Sequence, residues 1–243
     1  MQESLWHYLT DVWAKLYYTE LIWLICSAIA LLVGIRNYRK EMTYQLLLIY
    51  TVSSIWENIG QRIVKHSFSL EGINSTAYVE STNTFFSLVE ITTFAYIFKK
   101  LLKTKLFKIT IEVIWLIFSA LCVYFLYKIF EGHLPQNEIK NYSFILNSIE
   151  FFILLFLCLP FFYQLLVREF TQVVPISKSP AFWITSGLFF YCIVSLPILL
   201  IGDKLFTTNY DLLLIVVSIH FASNSLLFLC IAKAFSCKTT LTI

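Results

Sequence analysis

The chain has 243 residues, of which 58% are hydrophobic and 14% charged, with a formal net charge of +3. Its mean hydropathy is +0.75. An ordinary soluble domain carries about a quarter charged residues, so this composition excludes that class. Apolar windows of about 18 residues or more, the mark of a membrane span, fill most of the length.

Residues 1–18, "MQESLWHYLTDVWAKLYY", lack the basic start and small-residue cleavage site of a signal peptide. Leu5, Leu9, Val12, Trp13 and Leu16 fall at helical spacing, with Trp6, Tyr8, Tyr17 and Tyr18 nearby. The pattern predicts a retained amphipathic segment lying at the membrane interface. Breaking the rest at charged or proline-containing stretches predicts seven spans: 19–35, 43–64, 82–99, 108–129, 142–167, 181–202 and 212–234. Together they form one transmembrane domain, 19–234, followed by a short tail, 235–243. The longest connections, "KHSFSLEGINSTAYVES" and "REFTQVVPISKSP", are too short for a folded domain. Pro180 suits the first position of the sixth helix, whereas Pro160 and Pro197 fall inside spans and predict kinks. The fold class expected is therefore all-α, a polytopic seven-transmembrane-helix bundle.

Basic residues set the orientation. Twelve of the eighteen Lys and Arg residues lie in the first, third and fifth connections and the tail, including Arg36, Arg39, Lys40 and the run Lys99, Lys100, Lys103, Lys105 and Lys108. The N-terminus is expected outside and the C-terminus in the cytoplasm, with the chain multi-pass. Five of the six cysteines sit inside apolar spans and none forms a C-x-x-C, so they read as packing residues.

Four ionisable residues fall within the spans: Glu57, Glu90, Glu150 and His220. Each lies seven or eight residues inside the outer end of its helix, which at about 1.5 Å per residue puts all four roughly 10–12 Å below the outer boundary. Polar neighbours extend each into a stripe: Ser53, Glu57 and Gln61; Asn83, Ser87 and Glu90; Asn147 with Glu150; His220 with Asn224. Asn58 adjoins Glu57. The inner halves, such as "LLFLCLPFFYQLL", are almost purely apolar. This pattern predicts a pocket that opens outward and closes inward, with Glu57, Glu90, Glu150, His220, Asn58, Asn147, Asn224 and Gln61 as its binding residues.

Three ionised carboxylates cannot share an apolar layer that holds no Lys or Arg. Protons, an ammonium ligand, protonated His220 or a divalent metal held by Glu57, Glu90, Glu150 and His220 would compensate. Against the metal stands the lack of H-E-x-x-H or E-x-x-H spacing. Trp56, Trp183 and Tyr191 are further candidates for the pocket wall.

Three stretches, "NTFFSLVEITTFAYIFKK", "SPAFWITSGLFFYCIVSLPI" and "IHFASNSLLFLCIAKAFSC", resemble an uncharacterised family of seven-helix proteins of Bacteroidota-type bacteria. The matching positions are Asn83, Leu88 and Glu90, then Phe182, Trp183 and Gly187, then Ile219, His220 and Asn224. The resemblance implies seven helices and a sensor histidine kinase as neighbour, with no established activity.

The residues together point to a receptor-like sensor in the inner membrane. Its pocket would bind a small, cationic or hydrogen-bonding ligand, or protons. With no soluble output domain expected, the signal would pass to a separate partner, and the lysine-rich third connection is the candidate docking surface. The lipid bilayer is the other expected partner, and nucleic acid is not expected. Two alternatives remain open: a metal-dependent intramembrane hydrolase, and a proton- or cation-coupled transporter. A retinal-type photoreceptor is disfavoured because the seventh span has no lysine at mid-depth.

Overall fold

The computed structural model describes the backbone of residues 2–38, 40–71, 76–132, 134–169, 176–208 and 210–237, and the side chains of these residues except 2–17, 62–71, 166–169, 202–208 and 210. Within them the chain is all-α, in seven helices: α1 (Gln2–Arg36), α2 (Met42–Glu71), α3 (Thr76–Leu101), α4 (Lys105–Phe130), α5 (Gln136–Glu169), α6 (Pro180–Thr208) and α7 (Tyr210–Ser236). A short 3-10 turn, Ile176–Lys178, precedes α6. Each helix contains one of the expected spans.

The helices outrun the apolar windows that announced them. The stretch 65–81, expected as a connection, is helical except for residues 72–75, which lie outside the description. Polarity ends a hydrophobic window but does not end a helix; only a break in the backbone hydrogen-bond ladder does that. α1 likewise runs unbroken from Gln2 and takes in the segment 1–18, whose side chains before Tyr18 are outside the description. α4 does end on a local signal. Gly132 has φ +70°, the left-handed conformation glycine adopts most cheaply just past a helix. Its N–H bonds back to the Ile129 carbonyl at 3.1 Å. Pro180 opens α6, while Pro160 and Pro197 lie inside α5 and α6.

Among the described residues five helices are long and apolar enough to cross a membrane, over Tyr18–Arg36, Lys105–Phe130, Gln136–Leu165, Pro180–Ile201 and Asp211–Ser236. α2 and α3 carry the richest polar stripes, which lower their mean hydropathy. They are nonetheless packed among the other five.

Cross-helix pairs define how the bundle closes. Lys100 with Glu41 at one end, and Gln61 with Asn83 at the other, run α2 and α3 antiparallel. Ser143 with Glu80 and Ser87 with Glu150 run α3 and α5 parallel. Ser195 with His220, and Gly187 beside Cys230, run α6 and α7 antiparallel. The packing order is α1, α2, α3, α5, α6, α7 and back to α1, a ring of six. α4 lies outside this ring against α3 and α5.

Where helices meet most closely, small side chains let them. A Cβ built on Gly187 of α6 would stand 2.7 Å from the Cβ of Cys230 on α7. That neighbour is held to its backbone and cannot swing aside. Gly187→Val is therefore expected to cost about 1–3 kcal/mol by overpacking, visible as a lower melting temperature of the detergent-purified protein. An unchanged melting temperature would mean that α6 and α7 do not pack at this distance.

All six cysteines are buried. Many outward-facing positions on the long helices are large and apolar, as Leu116, Phe152 and Ile215 illustrate. Lipid is as apolar as the bundle interior, so close packing and interhelical hydrogen bonds, rather than transfer from water, hold such helices together.

A candidate acidic cavity within the helix ring

The ring encloses a cavity of about 370 Å³. Every helix of the ring contributes to its wall and α4 contributes nothing described. α1 supplies Glu20 and Trp23; α2 supplies Ser54, Glu57, Asn58 and Gln61; α3 supplies Asn83, Phe86, Ser87 and Glu90. α5 adds Asn147, Glu150 and Phe151; α6 adds Tyr191 and Leu199; α7 adds His220, Phe221 and Asn224. All eight residues expected to bind a ligand thus meet in one space.

The four ionisable groups, expected to form a single layer, all line this cavity. Their hydrogen bonds fall into clusters along its wall. In one, the Tyr50 hydroxyl donates to Oε1 of Glu90 at 2.9 Å, and the Ser87 hydroxyl donates to Oε2 of Glu150 at 2.6 Å. Glu90 and Glu150 are 2% and 3% exposed. In the other cluster, Gln61 donates to Oε1 of Glu57 at 3.0 Å and also to Asn83. Asn83 donates in turn to Oε2 of Glu80 at 3.0 Å, and Ser143 donates to the same oxygen at 2.5 Å. Hydrogen-bonded networks of this kind fix the rotation of α2, α3 and α5 about their axes, because each stripe must face its partners.

His220 has its own partners. Its Nδ1 lies 2.8 Å from the Ser195 hydroxyl, and its ring sits 5.7 Å from that of Tyr191. A serine beside an imidazole invites a nucleophile–base reading. Ser195 is fully buried behind the cavity wall, so a substrate in the cavity would meet the imidazole, not the hydroxyl. The serine orients the ring.

The divalent-metal expectation for Glu57, Glu90, Glu150 and His220 fails on this geometry. Among the described residues no three His, Cys, Asp or Glu side chains gather as ligands for one ion. The carboxyl groups are turned toward Tyr50, Ser87 and Gln61, and the imidazole toward Ser195.

Other expectations sort cleanly. Tyr191 lines the cavity. Trp56 is 65% exposed, and the Trp183 indole donates to the Ser177 carbonyl at 2.8 Å, so neither tryptophan forms its wall. Ser54 rather than Ser53 faces inward. Sequence reasoning missed Glu20, Trp23 and Tyr50. Glu20, only a residue inside its span, reads as an end-of-span charge, and Trp23 and Tyr50 read as ordinary apolar-face aromatics.

Beneath the cavity, toward the end of the bundle that holds the α3–α4 connection, the core is filled by side chains such as Phe94, Phe98, Leu157, Phe161, Leu188 and Ile231, all 2% exposed or less. Hydroxyls in the α1 and α2 core are turned back to their own helices: Ser27 donates to Leu24 and Thr51 to Leu47.

Fold and site together define a membrane-type helical bundle with an acidic cavity, lined mainly by polar side chains, on one side of its centre. Comparison with models of protein families, with curated proteins and with solved structures found no match.

Proposed function

We propose that the protein is a receptor-like sensor of the cell inner membrane, with seven spans, its N-terminus outside and its C-terminus in the cytoplasm. The cavity binds a small cation from the outer side, and the change in helix packing passes to a separate partner such as a sensor histidine kinase. One observation carries the reading. The cavity wall gathers Glu20, Glu57, Glu90 and Glu150 with His220, and none of its described residues is Lys or Arg. A concave site that gathers carboxyl groups concentrates the opposite charge. About 370 Å³ lies in the range of small-molecule pockets.

The apolar packing below the cavity favours a closed floor over a transport path. The hydrolase alternative has neither a gathered metal-ligand set nor an accessible serine in its favour. For the partner, Lys103 and Lys105 stand exposed at the α3–α4 connection, while Lys99 pairs with Glu112 and Lys100 with Glu41.

Thiol labelling tests orientation and charge together, because the native cysteines are buried. In spheroplasts, Asn58→Cys is expected to react with a cationic, membrane-impermeant thiosulfonate about tenfold faster than with its anionic counterpart. Lys103→Cys is expected to react only in inverted vesicles. Labelling of Lys103→Cys from outside would overturn the orientation. Equal rates for the two reagents at Asn58→Cys would remove the cation reading.

A further inference from the structure

α4 is the helix left outside the ring, and where it packs on α3 the two leave an outward-facing groove of about 420 Å³. Its walls are two stripes at helical spacing. Thr92, Tyr96 and Lys99 come from α3; Glu112, Trp115 and Leu116 come from α4. Tyr96, Trp115 and Leu116 are exposed. The Trp115 indole donates to the Thr92 hydroxyl at 3.0 Å, which fixes the ring between the two helices.

The groove has a charged end and an apolar length. Lys99 donates to Glu112 at the end nearer the α3–α4 connection. Thr92 lies seven residues farther along α3, roughly 10 Å at about 1.5 Å per residue. On α4 the stripe of Glu112 and Trp115 continues toward the connection, reaching Lys108 after one turn and Lys105 after two. Lys103 lies in the connection itself. Among the described residues, the four lysines 99, 103, 105 and 108 thus face the single carboxylate of the groove. The first turn of α4 holds no acidic residue, and Lys100 is taken by Glu41. Lys99 gives one N–H to Glu112, and an ammonium group has further N–H donors to offer.

Possible occupants differ in what they use. A soluble phosphate uses the lysines and leaves the apolar length uncovered. A lipid without net charge covers the groove and gains nothing from the surplus of lysines. An anionic phospholipid uses both, since basic pockets between membrane helices bind acidic head groups while the groove takes hydrocarbon.

We propose that the α3–α4 groove is a binding site for an anionic phospholipid of the leaflet at the connection end. Lys99, Lys105 and Lys108 hold its phosphate, and one acyl chain lies past Tyr96 toward Trp115. The site is separate from the acidic cavity and stands without the cation reading.

Trp115 supplies the readout, because bromine on an acyl chain quenches an indole in contact with it. The full chain is reconstituted in phosphatidylcholine vesicles doped with brominated phosphatidylglycerol or with brominated phosphatidylcholine of the same chains. The Trp115 share is the quenching that Trp115→Phe loses. At equal mole fraction, brominated phosphatidylglycerol is expected to quench this share about threefold more than brominated phosphatidylcholine. The double variant Lys105→Gln/Lys108→Gln is expected to abolish the preference. Lys178→Gln/Lys233→Gln removes two exposed lysines at the same end of the bundle but away from α4, and is expected to keep it. Glu112→Gln removes the competing carboxylate and is expected to strengthen the preference, a gain that misfolding cannot mimic. Equal quenching by the two lipids would overturn the proposal. So would a loss in the Lys178/Lys233 variant as large as in the Lys105/Lys108 variant, which would reduce the effect to general surface attraction. Quenching of Trp115 by neither lipid would assign the groove to a protein occupant and overturn it equally.

Discussion

Phe228→Ala is expected to destabilise the bundle by about 3–5 kcal/mol, the largest effect of any single truncation considered. Phe228 of α7 is fully buried. It stacks on Tyr50 of α2, with ring centroids 5.8 Å apart and planes 12° from parallel. It also meets Trp23 of α1 edge-on at 6.1 Å. Since hydrocarbon surrounds the protein, removing the ring forfeits little transfer energy. What remains is the void: a ring of about 100 Å³ at about 24 cal/mol per Å³ gives roughly 2–3 kcal/mol. Two aromatic contacts of about 0.5–1.5 kcal/mol each add to it. Unfolding in mixed micelles, titrated with a denaturing detergent, measures the difference. Phe228→Leu, which keeps much of the volume, is expected to lose about half as much. A loss below about 1 kcal/mol for the alanine variant would show that α1, α2 and α7 do not close around this ring.

The second large effect separates the carboxyl group of Glu90 from its shape. Glu90→Ala removes the acceptor of the Tyr50 hydroxyl, which sits on a side chain 1% exposed. Leaving that donor unpaired costs about 1–3 kcal/mol, and the lost side chain leaves a void besides. Glu90→Gln keeps a carbonyl oxygen for Tyr50 and is expected to cost less than about 1 kcal/mol. Adding Tyr50→Phe to Glu90→Ala removes the orphaned donor, so the double variant is expected to be more stable than Glu90→Ala alone, a non-additivity that a double-mutant cycle reads directly. Additive losses in that cycle, or equal losses for Ala and Gln, would remove the Tyr50–Glu90 bond from the account.

Both predictions depend on contacts between helices far apart in sequence, and that is where legibility divides. The seven helical segments could be read one at a time, because hydrocarbon demands of each segment that it satisfy its own backbone and show apolar side chains. The same demand made the polar residues conspicuous. Glu57, Glu90, Glu150 and His220 stand out within apolar runs because each is costly there unless something in the fold receives it. Their common distance from the helix ends was enough to foresee that they would share a cavity with Asn58, Gln61, Asn147 and Asn224.

Partnership was not legible, because it depends on how helices are rotated and which ones touch. Tyr50 is one of 14 tyrosines and carries no local mark of being the donor to Glu90. Ser195 looks like any small residue in a span until α6 and α7 run antiparallel and bring it to His220. A layer counted along separate helices therefore suggested one metal-like constellation, whereas the side chains turn to nearer hydrogen-bond partners and divide it. Nor does a segment's composition say whether it lies in the ring or outside it: α4 is as apolar as its neighbours, and only the contact of α3 with α5 leaves it at the edge. The sequence by itself determined which residues must be kept from lipid and roughly how deep they lie, since that follows from the solvent acting on each helix alone. The tertiary structure decided which of them meet, since a hydrogen bond between helices is a property of two surfaces and their register.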